Sequence, residues 1–278
     1  MTAVSRAHRL SRWPLVAGFS LLAASTLFPI YFMVTNAFRT SVQYAGSKFG
    51  LPTSLSLANF ERIWHEASMG IYLRNSVIVA VGSVICALVV AAPAAYAFAK
   101  LRWRGRGLVY VAVLSALAIP LLLIMVPVYV EMVQFGLVNS FQSIILLYAA
   151  FNAPFNVYLL TSYFSELPDE MLEAAKVDGA SIHRIFRTVV LPLGRPALAT
   201  LAIFNFLWAW NEFLYALLLL QSDSFRTITV GLTTMQGRYS TDYPALMAGL
   251  AMSAVPAIGV YLIFQRYLVR GIAVGAVK

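Results

Sequence analysis

Six stretches of this chain run for twenty residues or more almost without charge. They lie between Arg12 and Arg39, Arg74 and Lys100, Arg106 and Glu131, Phe141 and Phe164, Pro196 and Leu220, and Asp242 and Arg266. Glu212 is the one acidic residue inside any of them. Crossing a hydrocarbon core of about 30 Å takes about 20 helical residues, so each stretch predicts one membrane span. Only 11% of the chain is charged, against about 25% in soluble domains. The expectation is an all-α integral membrane protein with six transmembrane helices. Basic residues precede the first stretch, as in a secretory signal, but its apolar run is much longer than the roughly 7–15 residues of such a signal, which favours an uncleaved anchor.

Six crossings put both termini on one side. Fourteen of the twenty basic residues then share that side: Arg6, Arg9 and Arg12; Lys100, Arg102, Arg104 and Arg106; Lys176, Arg184, Arg187 and Arg195; and Arg266, Arg270 and Lys278. Short cytoplasmic loops carry the excess of Lys and Arg, so this side is expected to be cytoplasmic. The net charge of +9 therefore implies loops and anionic headgroups, not nucleic acid. The domain organisation expected is a tail over 1–12, a transmembrane domain over 13–265 and a second tail over 266–278, both tails cytoplasmic. Pro120 and Pro127 fall within one span and predict a helix broken twice. In the external segment, Phe60, Ile63 and Trp64 share a helical face and predict a short helix on the membrane surface.

The segment 165–196 interrupts the pattern. It holds five of the eleven acidic residues, Glu166, Asp169, Glu170, Glu173 and Asp178. Pro168 suits a first helical turn, and Asp169 and Glu170 follow where the helix dipole favours negative charge. Gly179 can end that helix in the left-handed conformation, and Ser181 can cap a second one. Ile182, Ile185, Phe186, Val189 and Val190 then recur at helical spacing as one apolar face, up to Pro192. The residues alone are compatible with an ordinary amphipathic hairpin on the membrane surface.

Spelled out, Glu173-Ala174-Ala175, Asp178-Gly179-Ala180, Phe186 and Leu191-Pro192-Leu193 resemble the EAA loop of permease subunits in binding-protein-dependent ABC importers. The run from Gln265 to Lys278 is similar to the ending of maltose-type sugar permeases, and Trp210-Asn211-Glu212-Phe213 to the family's pattern in the span after the loop. The external segment through Pro52, Asn59-Phe60 and Asn75-Ser76 is also similar to the sugar branch. The resemblance implies a type I importer permease fold in a bacterial or archaeal plasma membrane. It implies as partners a second homologous permease, two nucleotide-binding subunits that carry ATP and Mg, and an external solute-binding protein. The loop would be a coupling helix on the ATPase, with Glu173, Ala174, Ala175, Asp178, Gly179, Ala180, Phe186 and Pro192 as its site residues. Gly271, Gly275 and Lys278 would reach the paired ATPases. Permeases for glycerophosphodiesters share these motifs and are a rival within the class; an ion-coupled secondary transporter is a rival from outside it.

No pattern for catalysis is present. None of the four lysines follows a glycine, which excludes a phosphate-binding loop, so no nucleotide cofactor is expected on this chain. The three histidines lie far apart and Cys86 is alone, so no metal site is expected. Polar residues within the spans are candidates for a solute pathway: Asn152, Asn156, Tyr158, Asn205, Asn211 and Glu212. Amides suit sugar hydroxyls, but each can equally serve a contact between helices. Glu212 lies towards the external end of its span and stands as either a structural contact or part of an external gate.

Overall fold

The structure is a computed structural model that describes residues 13–234 and 242–275, with side chains to Gln265. The expectations placed on residues 1–12 and on Lys278 lie outside the described residues. Two compact units result, Met1–Met69 with Leu232–Ala254 and Gly70–Gly231 with Val255–Lys278.

The first unit begins with α1, Trp13–Ala37, an apolar helix buried only at Asn36 and Ala37. It leaves Leu15, Phe19, Leu21 and Leu27 exposed, as a helix surrounded by lipid does. Two short helices follow, α2 (Ser41–Gly46) and α3 (Ala58–Glu66). A short helix is therefore present where one was expected, but its predicted common face is split: Ile63 is buried while Trp64 is 49% exposed. Asn59, one position before Phe60, fixes α3 by donating to the carbonyls of Ala37 (2.9 Å) and Arg39 (2.8 Å). The Arg39 guanidinium is buried and donates to Asn36 Oδ1 (3.0 Å) and the Gln43 carbonyl (2.6 Å). Arg62 pairs with Asp242 at 2.5 Å.

The second unit is built on α4 (Met69–Lys100) and α7 (Phe141–Ser165). Between them the third stretch is not a straight crossing. It forms α5 (Arg106–Ser115), a 3₁₀ turn, a break at Ile119-Pro120, a second 3₁₀ turn and α6 (Met125–Gln134), with an 88° bend. Two breaks were expected here, and one is found. Pro127 sits in the first turn of α6, where its missing N–H has no partner to lose, so it starts a helix instead of breaking one. The fifth stretch is divided too, into α10 (Arg195–Asn211) and α11 (Leu214–Leu219), with extended backbone at Glu212. The two remaining helices, α12 (Ile228–Thr234) and α13 (Tyr243–Gly275), are each divided between the units, and the backbone of α13 carries Gly271 and Gly275 within the helix.

Among the described residues, four helices are long and apolar enough to cross a membrane. The number reaches six when each of two bent helix pairs counts as one span. The chain is all-α and crosses the membrane several times.

Candidate functional site: a charged hairpin wedged into the bundle

Two helices, α8 (Asp169–Val177) and α9 (Ile182–Leu193), form the polar hairpin. Pro168 is the residue before α8, in extended conformation, one position earlier than the sequence predicts. Gly179 has φ +76°, and its N–H donates to the Lys176 carbonyl at 2.9 Å while Ala180 N–H donates to Ala175 (3.0 Å). These bonds close the end of α8 in the manner of a Schellman cap, for which a residue without Cβ is best suited. The Ser181 hydroxyl accepts from Arg184 N–H (3.3 Å) and caps α9.

Lys100, the last residue of α4, locks the start of the hairpin. Its side chain is only 7% exposed, and Nζ donates to the Leu167 carbonyl (2.6 Å), the Ser165 carbonyl (3.3 Å) and Asp169 Oδ1 (2.6 Å). The hydrogen bond and charge of Lys100 hold the Asp169 carboxyl below the usual carboxylate range, with smaller help from Lys176 and Arg102. Sequence reasoning missed this role because Lys100 counts only as one loop cation in a charge census.

The apolar side of the hairpin belongs to the core. Leu172, Ile185 and Val190 are buried together with Tyr96, Leu160, Phe164 and Leu201 from α4, α7 and α10. Phe186 stacks on Tyr96 with ring centroids 5.4 Å apart. Ala175, Ala180 and Val189 pack against the same core, whereas Ile182 is 51% exposed and does not join it. The opposite side of α8 presents Glu170, Met171, Ala174 and Val177 to the outside, and Glu173 and Asp178 are exposed as well. The small Ala175 thus serves close approach within this chain, and Ala174 is the one of the pair left free for an external surface.

Phe186–Val190 is a π turn, with Leu191 N–H donating to the Phe186 carbonyl. Pro192 lies two residues beyond it; a proline ring clashes with the carbonyl four residues earlier, here Thr188, and a widened turn relieves that clash. The chain then bends by 74° into α10. Gly194 at the bend is held by Phe164, since a Cβ there would lie 2.6 Å from its ring.

The polar residues of the spans divide into two groups. Tyr148 donates from its hydroxyl to the Glu212 carboxylate, which also accepts from Tyr215 N–H (3.0 Å) and Ala216 N–H (3.1 Å). Thr229 donates to the Glu212 carbonyl at 3.0 Å. From the position before the N-cap Phe213, the Glu212 side chain thereby caps the first free N–H groups of α11, where its charge also meets the positive end of the helix dipole. Asn152 is tied to the same group through the Tyr148 carbonyl (2.8 Å), while Asn211 is exposed and donates back to Leu207 (2.7 Å). Tyr158 is 49% exposed on α7. Asn156 is 0% exposed, and among the described residues neither end of its amide has a hydrogen-bond partner; the same holds for Nδ2 of Asn205. An unmatched buried amide costs about 1–3 kcal/mol, so these two positions are held against a penalty.

A polytopic helical bundle with a charged hairpin set between its spans, and with a core that reaches from the spans into the hairpin, is the framework of a membrane permease. Residues 83–274 match the family described as binding-protein-dependent transport system inner membrane component. The diacetylchitobiose uptake system permease protein of Streptomyces coelicolor is 35% identical over 93% of this chain and 86% of that protein. The trehalose/maltose transport system permease protein of Thermococcus litoralis is 32% identical over 98% and 99%. A bacterial ABC transporter involved in the import of the acidic polysaccharide alginate has a chain that superposes with a TM-score of 0.84 at 25% identity, covering 94% of this chain and 98% of that one. The chain belongs to the permease family of binding-protein-dependent ABC importers.

Proposed function

We propose that this subunit translocates a saccharide by alternating access, driven by ATP that is bound and hydrolysed with Mg on two partner subunits. A homologous second permease and an external solute-binding protein complete the assembly. The relatives' names for diacetylchitobiose and trehalose/maltose support a saccharide as the solute. The orientation follows the positive-inside count: both termini and the hairpin are cytoplasmic.

The observation that carries the reading is the two-sided hairpin. One side is fixed in the core of the spans through Leu172, Ile185 and Val190, and the other presents Glu170, Met171, Ala174 and Val177. A displacement applied to the outer side by an ATPase reaches α4, α7 and α10 without an intervening loose joint, as a rocking mechanism requires. Gly271, Gly275 and Lys278 at the end of the chain add a second contact with the paired ATPases. Asn156 and Asn205, whose amides are unmatched in this conformation, gain partners from solute hydroxyls or from the alternate state.

Reconstitution with the partner permease, the ATPases and the binding protein tests this. ATP-dependent uptake of a saccharide is expected, with cysteine labels at Val177 protected when the ATPase is present. Uptake without an ATPase, or uptake of glycerophosphodiesters in place of saccharides, would refute the corresponding part.

A further inference from the structure

A cleft of about 620 Å³ opens between α8 and the segment Lys100–Trp103 that leaves α4. Lys100, Arg102 and Lys176 bring three positive charges to its wall, and Asp169 and Glu173 two negative ones. Lys100 and Asp169 are paired. Arg102 and Lys176 also act on Asp169 from a distance, yet with Glu173 included the wall keeps one positive charge in excess, before the exposed Arg104 on the same loop is counted.

The depth of the cleft is set by two neighbours. The apolar helix α4 ends at Lys100, so the segment after it begins where the hydrocarbon layer gives way to headgroups. Trp103, on the cleft wall, is 40% exposed, packs its ring on Phe98 at 5.8 Å and donates Nε1–H to the Ala97 carbonyl (3.4 Å). A tryptophan held apolar on one side and polar on the other is the usual marker of the membrane interface. The first turns of α5, which leave the same loop, expose Leu108 and Val111.

We infer that this cleft binds the phosphodiester headgroup of an anionic glycerophospholipid, such as phosphatidylglycerol, with Arg102 and Lys176 on the phosphate and the acyl chains along α5. Basic pockets at the end of membrane helices on the cytoplasmic side are suited to such headgroups. Because Arg102 is on the loop after α4 and Lys176 is on the hairpin, one lipid bridges the hairpin to the bilayer. The site needs only the membrane embedding of the chain and not the coupling role of the hairpin.

Native mass spectrometry of the full transporter, titrated in detergent with phosphatidylglycerol or phosphatidylcholine, tests the inference without reading transport. The wild type is expected to retain phosphatidylglycerol preferentially, and R102Q/K176Q to lose at least about tenfold of that preference. Both side chains are exposed on the surface, so the double variant keeps the fold. As a second measurement, brominated phosphatidylglycerol should quench a fluorescence component that is missing in W103F, and brominated phosphatidylcholine should not. Equal retention of the two lipids, an unchanged preference in the double variant, or displacement of the lipid by millimolar glycerol phosphate would each overturn the assignment, the last in favour of a soluble phosphate ester.

Discussion

Tyr148 on α7 and Glu212, which opens α11, are hydrogen-bonded partners 64 residues apart in sequence. The contact gives the one carboxylate of the fifth apolar stretch a structural task. Both carboxylate oxygens are engaged by donors, and the residue joins α7 to the place where the fifth span breaks.

Replacing Glu212 by Ala removes the cap of α11 and leaves the buried Tyr148 hydroxyl without its acceptor. The loss of the cap alone is worth about 0.5–2 kcal/mol. Tyr148→Phe removes only the donor and should cost less, about 1 kcal/mol. Thermal unfolding of the purified chain in detergent should rank the two in that order. The double variant should be no less stable than Glu212→Ala. Additive losses would show that the contact between the two side chains carries little energy.

Gly179 separates a conformational requirement from a spatial one. A Cβ at this position meets nothing within 4 Å, so only φ +76° restricts the residue. Gly179→Val is expected to cost about 1–3 kcal/mol through the left-handed backbone and to abolish uptake while leaving insertion intact. Gly179→Asn, which tolerates that conformation, should keep most of the uptake. Measured transport of the two variants in one reconstituted system decides, and equal loss in both would point to a side-chain clash with a partner.

The Lys100–Asp169 pair should respond asymmetrically. Lys100 is almost buried and also serves two backbone carbonyls, so Lys100→Met leaves those acceptors unmatched at a cost of about 1–3 kcal/mol. Asp169 is 73% exposed, and its loss in Asp169→Asn should be close to silent, since water replaces a surface partner well. The carboxyl titrates below its usual value of about 3.9. The pair's contribution is therefore complete above that value and fades as pH falls through the lower folded pKa. Unfolding midpoints of both variants at neutral pH and near pH 3 check the order and the sign.

The parts of this structure that local pattern controls were legible, and the parts that distant partners control were not. Charge-free runs located the four long apolar helices α1, α4, α7 and α13, because lipid punishes an unpaired charge wherever it falls. Gly179 and Ser181 were legible because a cap is settled within four residues. The break at Glu212 was not, since the stretch from Pro196 to Leu220 stays apolar through it and the reason for the break lies on Tyr148. Pro127 was read as a second kink because sequence does not tell a helix interior from a helix start. Ile182 has the spacing of the buried face yet stays at the rim, since the face turns away from the core at the first residue of α9. Lys100, Arg102 and Trp103 form a site only once α8 folds back beside them.

Gly194 and Phe164 give the sharpest packing test. The bend between α9 and α10 puts the Gly194 backbone against the Phe164 ring, and a Cβ would approach Cε1 to 2.6 Å. The Val190 carbonyl at 3.1 Å blocks the other direction, so the methyl group of Gly194→Ala cannot be absorbed by a small shift of the glycine itself. Phe164 is 0% exposed and belongs to the core of the spans, so its ring moves only by displacing packed neighbours. The expected cost is that of overpacking a core, about 1–3 kcal/mol. Phe164→Leu alone opens a cavity and should also destabilise, but combined with Gly194→Ala it makes room for the new methyl. Unfolding of the double variant at a higher temperature than either single variant would confirm the contact. A double variant as unstable as the sum of the two would show that the bend is held by the backbone and not by this ring.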